Sequence, residues 1–396
     1  MNSFAFIANG NGYLVEQGKN PTQIQTQFGQ ETLERRVSVA RRNEWKTQGA
    51  GAQFMMGGMI QQHHEKDIVA EQFVSIAAGQ AAECYFSTQI GSLSVVLRYD
   101  RASQIENRLI HTADYQPAQL SIHAEKVVLA VREAEVGCHL ALMNSDGSDM
   151  QVITEGDVID TNPHWVPGQA STIIYQSAGI ARNAAGIFCG TAPFSIQQVN
   201  VATGRVETVL EDARFDFVFP RITADGTLFF VRKPYQSAQK SGSFLQSLTD
   251  FVLFPFRLLK GILGFLNIFT MRYRGKSLSS SRGARQKHLD PHLMFQLGLF
   301  HQAQQVVARN DEGDPEPFCA PNSWQLISRS PGGEEKVLLD GVLHFDVRDS
   351  QLLATNGKTI WHLDPSGQKK VLFQGAHISS VCWLPPISTE SNPIET

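Results

Sequence analysis

Six polar side chains scattered along the chain could do chemistry together: His139, Asp160, His164, Asp216, Arg221 and Asp346. Imidazole, carboxylate and guanidinium groups can move protons or hold an anion, but only when a fold brings them within hydrogen-bond reach. Their spacing pairs none of them. The local motifs are weaker still. His63, His64 and Glu65 carry metal-ligating atoms, yet no HExxH spacing aligns them, and adjacent histidines in a polar stretch read as exposed. His288 and His292 lie four apart, with Pro291 breaking the helix that would stack them. Gly275-Lys276-Ser277 ends like a phosphate-binding loop, but Thr270 stands where the first glycine belongs. Gly10-Asn11-Gly12 reads as a hairpin turn, and Ser145-Asp146-Gly147-Ser148-Asp149 lacks the alternating acids of a calcium loop. No GxSxG elbow occurs. No catalytic residue, cofactor site or metal ligand is therefore assigned. An enzyme, hydrolase or lyase, survives as an alternative only if distant residues converge in a channel, as does a small-ligand binder.

Composition narrows the classes. Over 396 residues the chain is 42% hydrophobic and 18% charged, too apolar for a disordered protein, and its 32 glycines follow no three-residue period. A net charge of -4 argues against nucleic acid as a partner. Cys84, Cys138, Cys189, Cys319 and Cys382 are few, widely spaced and odd in number, so they read as buried apolar residues. The N-terminal run FAFIANG follows no basic stretch and is cut short by Asn-Gly, which predicts a cytoplasmic protein.

What must position the six polar groups is a set of short strands. From Phe73 the chain breaks into four-strand units at 73–112, 118–156 and 164–210, then 219–235 resumed at 324–341, and 342–375. Small polar turns, NSDGS at 144–148, VATGR at 201–205 and DPSGQ at 364–368, recur at matching places. Repetition every ~35 to 50 residues, four strands at a time, is the mark of propeller blades. The strand ISSVCWLPP at 378–386 is left over, as are three strands at 1–30. One plus three make a sixth blade, so the reading is an all-β six-bladed β-propeller closed by a C-terminal strand and N-terminal strands. His164, Asp216 and Arg221 then become the candidate polar groups of a central channel.

Two of the strand starts, Asn162-Pro163-His164-Trp165-Val166-Pro167-Gly168 and Phe219-Pro220-Arg221-Ile222-Thr223-Ala224-Asp225-Gly226, resemble the Pro-x-Trp-Ser-Pro-Asp-Gly start of TolB-like propeller repeats. The second lacks the Trp and the first the Asp. The resemblance implies a propeller that serves as a binding platform, and it speaks to fold rather than to a particular activity.

Two stretches do not fit the ring. Residues 31–72 predict a helical and loop excursion, with Leu33, Val37 and Val39 among charged neighbours, followed by a Gly- and Met-rich segment from Gly49 to Met59. Residues 236–323 predict an amphipathic helical insertion in the fourth blade. Arg257 and Lys260 fall with Gly261, Gly264 and Asn267 on one narrow helical stripe, while Phe251, Phe254, Phe256, Leu259, Leu263, Phe265, Leu266 and Phe269 lie around or before it. Two charges within the run argue against a spanning helix. Arg272, Arg274 and Lys276 follow at once, a basic flank suited to anionic headgroups. The expected domains are thus closing-blade strands at 1–30, the excursion at 31–72, blades at 73–235, the insertion at 236–323, blades and closing strand at 324–386, and a disordered tail at 387–396. The expected function is a non-enzymatic scaffold that presents a protein-binding surface. Its insertion docks to a partner protein or to an anionic membrane, at the inner face of that membrane, and the same apolar helix could drive homo-oligomerisation.

Overall fold

Six antiparallel sheets, five of four strands and one of five, account for the described strands; those near the ring's centre are buried along most of their length, while the outermost are largely exposed. The structure, a computed structural model, describes residues 3–16, 18–47, 70–132, 137–182, 188–235, 320–365 and 367–387. Blade 1 comprises β4 (Gln72–Ala78), β5 (Glu83–Ile90), β6 (Leu93–Asp100) and β7 (Ile105–Thr112). Blade 2 holds β8 (Gln116–His123), β9 (Lys126–Arg132), β10 (His139–Asn144) and β11 (Gln151–Val152). Blade 3 is β12 (Val158–Trp165), β13 (Thr172–Arg182), β15 (Ser195–Asn200) and β16 (Arg205–Leu210). A short β14 (Phe188–Thr191) adds to the overhanging end of β13, a fifth strand that the turn spacing did not signal. Blade 3 also begins earlier than the expected His164, because β12 starts at Val158.

Blade 4 is β17 (Phe215–Ile222), β18 (Leu228–Pro234), β19 (Gln325–Arg329) and β20 (Glu335–Asp340). Here β18 pairs directly with β19 from Leu228↔Arg329 to Arg232↔Gln325, although the intervening chain runs from 235 to 324. Blade 5 is β21 (His344–Arg348), β22 (Gln351–Thr355), β23 (Thr359–Leu363) and β24 (Lys369–Gln374). In the sixth sheet β25 (Ile378–Leu384) pairs with β1 (Ser3–Ala8), followed by β2 (Asn11–Val15) and β3 (Thr22–Gln23). The hairpin between β1 and β2 turns on Asn9 and Gly10, both at positive φ, one residue earlier than the expected Gly10-Asn11-Gly12.

The first strands of the blades touch in order, β4 to β8, β12, β17, β21, β25 and back to β4, so the ring is closed. Between blades the inner faces bury branched and aromatic residues, such as Phe86, Leu97, Leu129, Phe230 and Phe345. A clasp of one side chain spans the ends. Arg101, buried after β6, pairs with Glu16 at 2.8 Å and donates to the carbonyls of Ala81, Ala82 and Pro385.

The helix α1 (Gln27–Thr47) starts four residues before the expected 31. Its exposed backbone donors are met locally: Thr26 Oγ1 accepts the Gly29 N–H at 2.8 Å, and the Glu106 carboxylate accepts those of Gln27 and Phe28 at 2.8 and 3.1 Å. The propeller, with Met1–Glu31, forms one compact unit. The helix from Thr32 to Thr47 belongs to a second unit. Leu33 and Val39 of α1 are exposed. The Gly- and Met-rich stretch, His63 to Glu65, the insertion up to Cys319 and the tail from Ser388 lie outside the described residues. Among the described residues no helix is long and apolar enough to cross a membrane.

Candidate functional site

The innermost strand of every blade contributes to one cavity of about 420 Å³ at the ring's centre. Five of the six strands are irregular where they meet it. Pairing slips around Val74 in β4, Ala118-Gln119 in β8, Asn162-Pro163 in β12, Phe219-Pro220 in β17 and Ser379 in β25. A bulge re-aims side chains and frees a backbone position from the ladder, which is why proline is tolerated at 163 and 220. The two TolB-like strand starts of the sequence are these bulges. Asn162 and Phe219 adopt left-handed φ values of 53° and 58°. Asparagine accepts that region readily, whereas phenylalanine does so at a cost of roughly 1–2 kcal/mol. Phe219 is held there by its N–H, donated to Gln176 Oε1 at 2.8 Å, and by its ring, packed edge-on to His344 at 4.9 Å.

Ionisable groups from three blades meet in the cavity, among them His164, Arg221, His344 and Asp346. Arg221 Nε faces Asp346 Oδ1 at 3.5 Å, and Arg221 Nη1 donates to its neighbour's Pro220 carbonyl at 2.9 Å. Asp346 Oδ2 accepts the Trp383 N–H at 2.8 Å, tying blade 5 to the closing strand. His344 Nδ1 accepts the Val381 N–H at 3.3 Å. That bond requires an unprotonated Nδ1, so the neutral ring carries its proton on Nε2. Burial, reinforced by the Arg221 charge, pushes the His344 imidazole down to about 3 and holds His164 well below its ordinary value. Burial, with the Asp346 charge adding, holds the Cys382 thiol well above its usual range.

Of the candidates named from sequence, His164 and Arg221 line this cavity, with Asp346 beside them. Asp216 does not, and the expectation for it is corrected. It sits five residues before Arg221 on β17, roughly 15 Å along an extended strand. Its carboxylate accepts the Phe194 N–H at 2.8 Å and faces Lys233 Nζ at 3.5 Å, a buried tie in the blade wall. His139 and Asp160 are also absent from the lining. Asp160 is buried on β12 four residues before His164, and that burial raises its carboxyl above the ordinary value. His344 and Asn162 were missed as site residues, although superposing the units on their first strands would have set His344 beside His164 and Arg221. Phe251, Phe254, Phe256, Arg257, Leu259, Lys260, Leu263, Phe265, Leu266, Phe269, Arg272, Arg274 and Lys276 lie outside the described residues. No cluster of three or more His, Cys, Asp or Glu able to hold a metal occurs among the described residues.

Six closed blades around a lined channel define a six-bladed β-propeller. No protein-family model matches the chain, and no curated protein matches it in sequence. Solved structures do. A chain of a nidogen/laminin complex aligns over 97% of this chain and 98% of its own length, with a TM-score of 0.51 at 7% identity. TolB from Acinetobacter baumannii aligns over 97% of this chain and 67% of its own, again with a TM-score of 0.51, at 9% identity. The fold is therefore TolB-like; identities so low carry the fold and nothing more.

Proposed function

We propose that the protein is a non-enzymatic scaffold whose propeller presents a binding surface to a protein partner and whose blade 4 insertion attaches it to an anionic membrane surface. One observation carries this reading: β18 and β19 complete their ladder without residues 236–319. A loop of that length is not needed to join two neighbouring antiparallel strands, which a few residues suffice to connect. Its sequence combines a phenylalanine- and leucine-rich run with a basic flank. Read as an interfacial helix, it buries Phe254, Phe256, Leu259, Leu263, Phe265, Leu266 and Phe269 at ~25 cal/mol per Å², while Arg272, Arg274 and Lys276 add about 1 kcal/mol each near anionic headgroups. Attachment at the cytoplasmic face of a membrane fits this basic charge. A protein partner is supported by the similar propeller found in a nidogen/laminin complex.

The channel supports holding rather than turnover. Both histidines are kept neutral, Asp346 is occupied on both oxygens, and no acid and base face each other across the cavity among the described residues. The test is a variant carrying Phe256→Glu, Leu259→Glu, Leu263→Glu and Phe269→Glu together. It is expected to keep the strand-rich circular dichroism and melting point of the parent and to lose co-sedimentation with anionic liposomes. Undiminished co-sedimentation would remove the insertion from the mechanism.

A further inference from the structure

The cavity at the ring's centre holds side-chain donors that no described protein acceptor meets. Among the described residues, the Arg221 Nη2 hydrogens meet no acceptor, since Nε faces Asp346 and Nη1 is spent on Pro220. Asn162 is 2% exposed, lines the cavity, and its Nδ2 amide donor has no partner. His344 Nε2–H is left over once Nδ1 has accepted from Val381. The one carboxylate among the described lining residues is already engaged: Asp346 serves Trp383 and Arg221. Arg348 also reaches the lining, with its charge paired to Asp349 at 3.7 Å.

We propose that this cavity is a binding site for a small organic carboxylate with an apolar body. The guanidinium edge of Arg221, the Asn162 amide and the His344 N–H supply donors drawn from three blades, and a carboxylate is the planar acceptor that an arginine fork and flanking N–H donors fit. The remaining walls take the apolar body: Val74, Ile76, Ile122, Phe219, Val381 and Trp383 line the same space. Its volume lies within the range of small-molecule sites, and enclosure by six strands lowers the dielectric around the charge pair. Leaving the Asn162 amide donor buried without an acceptor is costly, which gives the ligand its grip.

Isothermal titration of the full-length protein with hexanoate, benzoate and succinate tests this, with hexanamide as the uncharged counterpart of hexanoate. Saturable binding of at least one carboxylate is expected. Hexanamide should bind at least about tenfold more weakly than hexanoate. Arg221→Lys, which keeps a cation beside Asp346 but loses the fork, should weaken carboxylate binding by a similar factor. Ser380→Trp, at a half-buried lining position that makes no use of the charged groups, should block it while leaving Arg221 in place. Saturation by none of the three acids overturns the proposal. So does binding that both variants leave unchanged, or hexanamide binding as tightly as hexanoate.

Discussion

Replacing Arg101 by alanine should loosen the ring at its seam. The side chain is 1% exposed and reaches four acceptors that belong to otherwise separate parts of the chain. Glu16 follows β2, Ala81 and Ala82 precede β5, and Pro385 follows β25, so one guanidinium binds the first blade to both ends of the polypeptide. Hydrogen bonds to a charged group are worth ~1.5–3 kcal/mol each when lost singly, but four bonds from one residue do not add. Breaking a buried pair by deleting one member costs about 3–5 kcal/mol, and the partial exposure of Glu16 places this case at the low end, about 3 kcal/mol. Arg101→Lys should recover part of that, because one ammonium cannot reach all four acceptors. Glu16→Gln should cost only about 1 kcal/mol, since the three carbonyls remain. Urea unfolding followed by tryptophan fluorescence reads all three. A loss below about 1 kcal/mol for Arg101→Ala, or equal losses for it and Glu16→Gln, would refute the clasp.

Three further expectations follow from particular residues. His344 is held neutral at about 3 in the folded ring against an ordinary 6.5, so the unfolded chain binds the extra proton between those values. Stability from this group is complete above about pH 6.5 and falls as pH drops toward 3; urea midpoints at pH 7 and pH 5 should show the decline, and His344→Asn should reduce it, the depressed His164 supplying the remainder. Gly147→Ala places a Cβ 2.7 Å from the Leu109 carbonyl at φ +90°, whereas Gly204→Ala at φ +70° meets open space. The first should cost about 2 kcal/mol or more and the second about 1, compared by thermal melts. Trp383→Phe removes the indole bond to the Gln351 carbonyl at 3.2 Å while keeping a ring against Phe4, and should lower the urea-derived stability by about 1 kcal/mol.

The blades were legible because each strand pair ends in a turn whose chemistry is local. Asp364, for example, accepts from Gln368 and Gly367 across the DPSGQ turn, and Asn200 does the same for Ala202 and Thr203. Such bonds lie within five residues and leave their mark on composition. The start of α1 was less legible, since Glu106, which caps it, lies far along the chain in blade 1. The channel was legible only in part for the same reason. His164 and Arg221 sit beside prolines that betray a bulge, whereas His344 lies in the regular strand VLHFDVR with no such signal. Asp216 looked like a channel acid because its strand was right; which level of the strand faces the cavity depends on where the bulge falls. The extra strand β14 escaped notice because four residues carry too little periodicity to register.

The central claim is that the insertion, surplus to the blade that carries it, is the attachment device. Liposome flotation of the intact protein and of a variant lacking 243–287, on anionic and neutral lipids at low and high salt, addresses it directly. The account predicts flotation of the intact protein on anionic lipids that weakens with salt, and none for a folded deletion variant. A folded, intact protein that stays at the bottom of the gradient on anionic lipids at low salt, or a deletion variant that floats equally well, would contradict it.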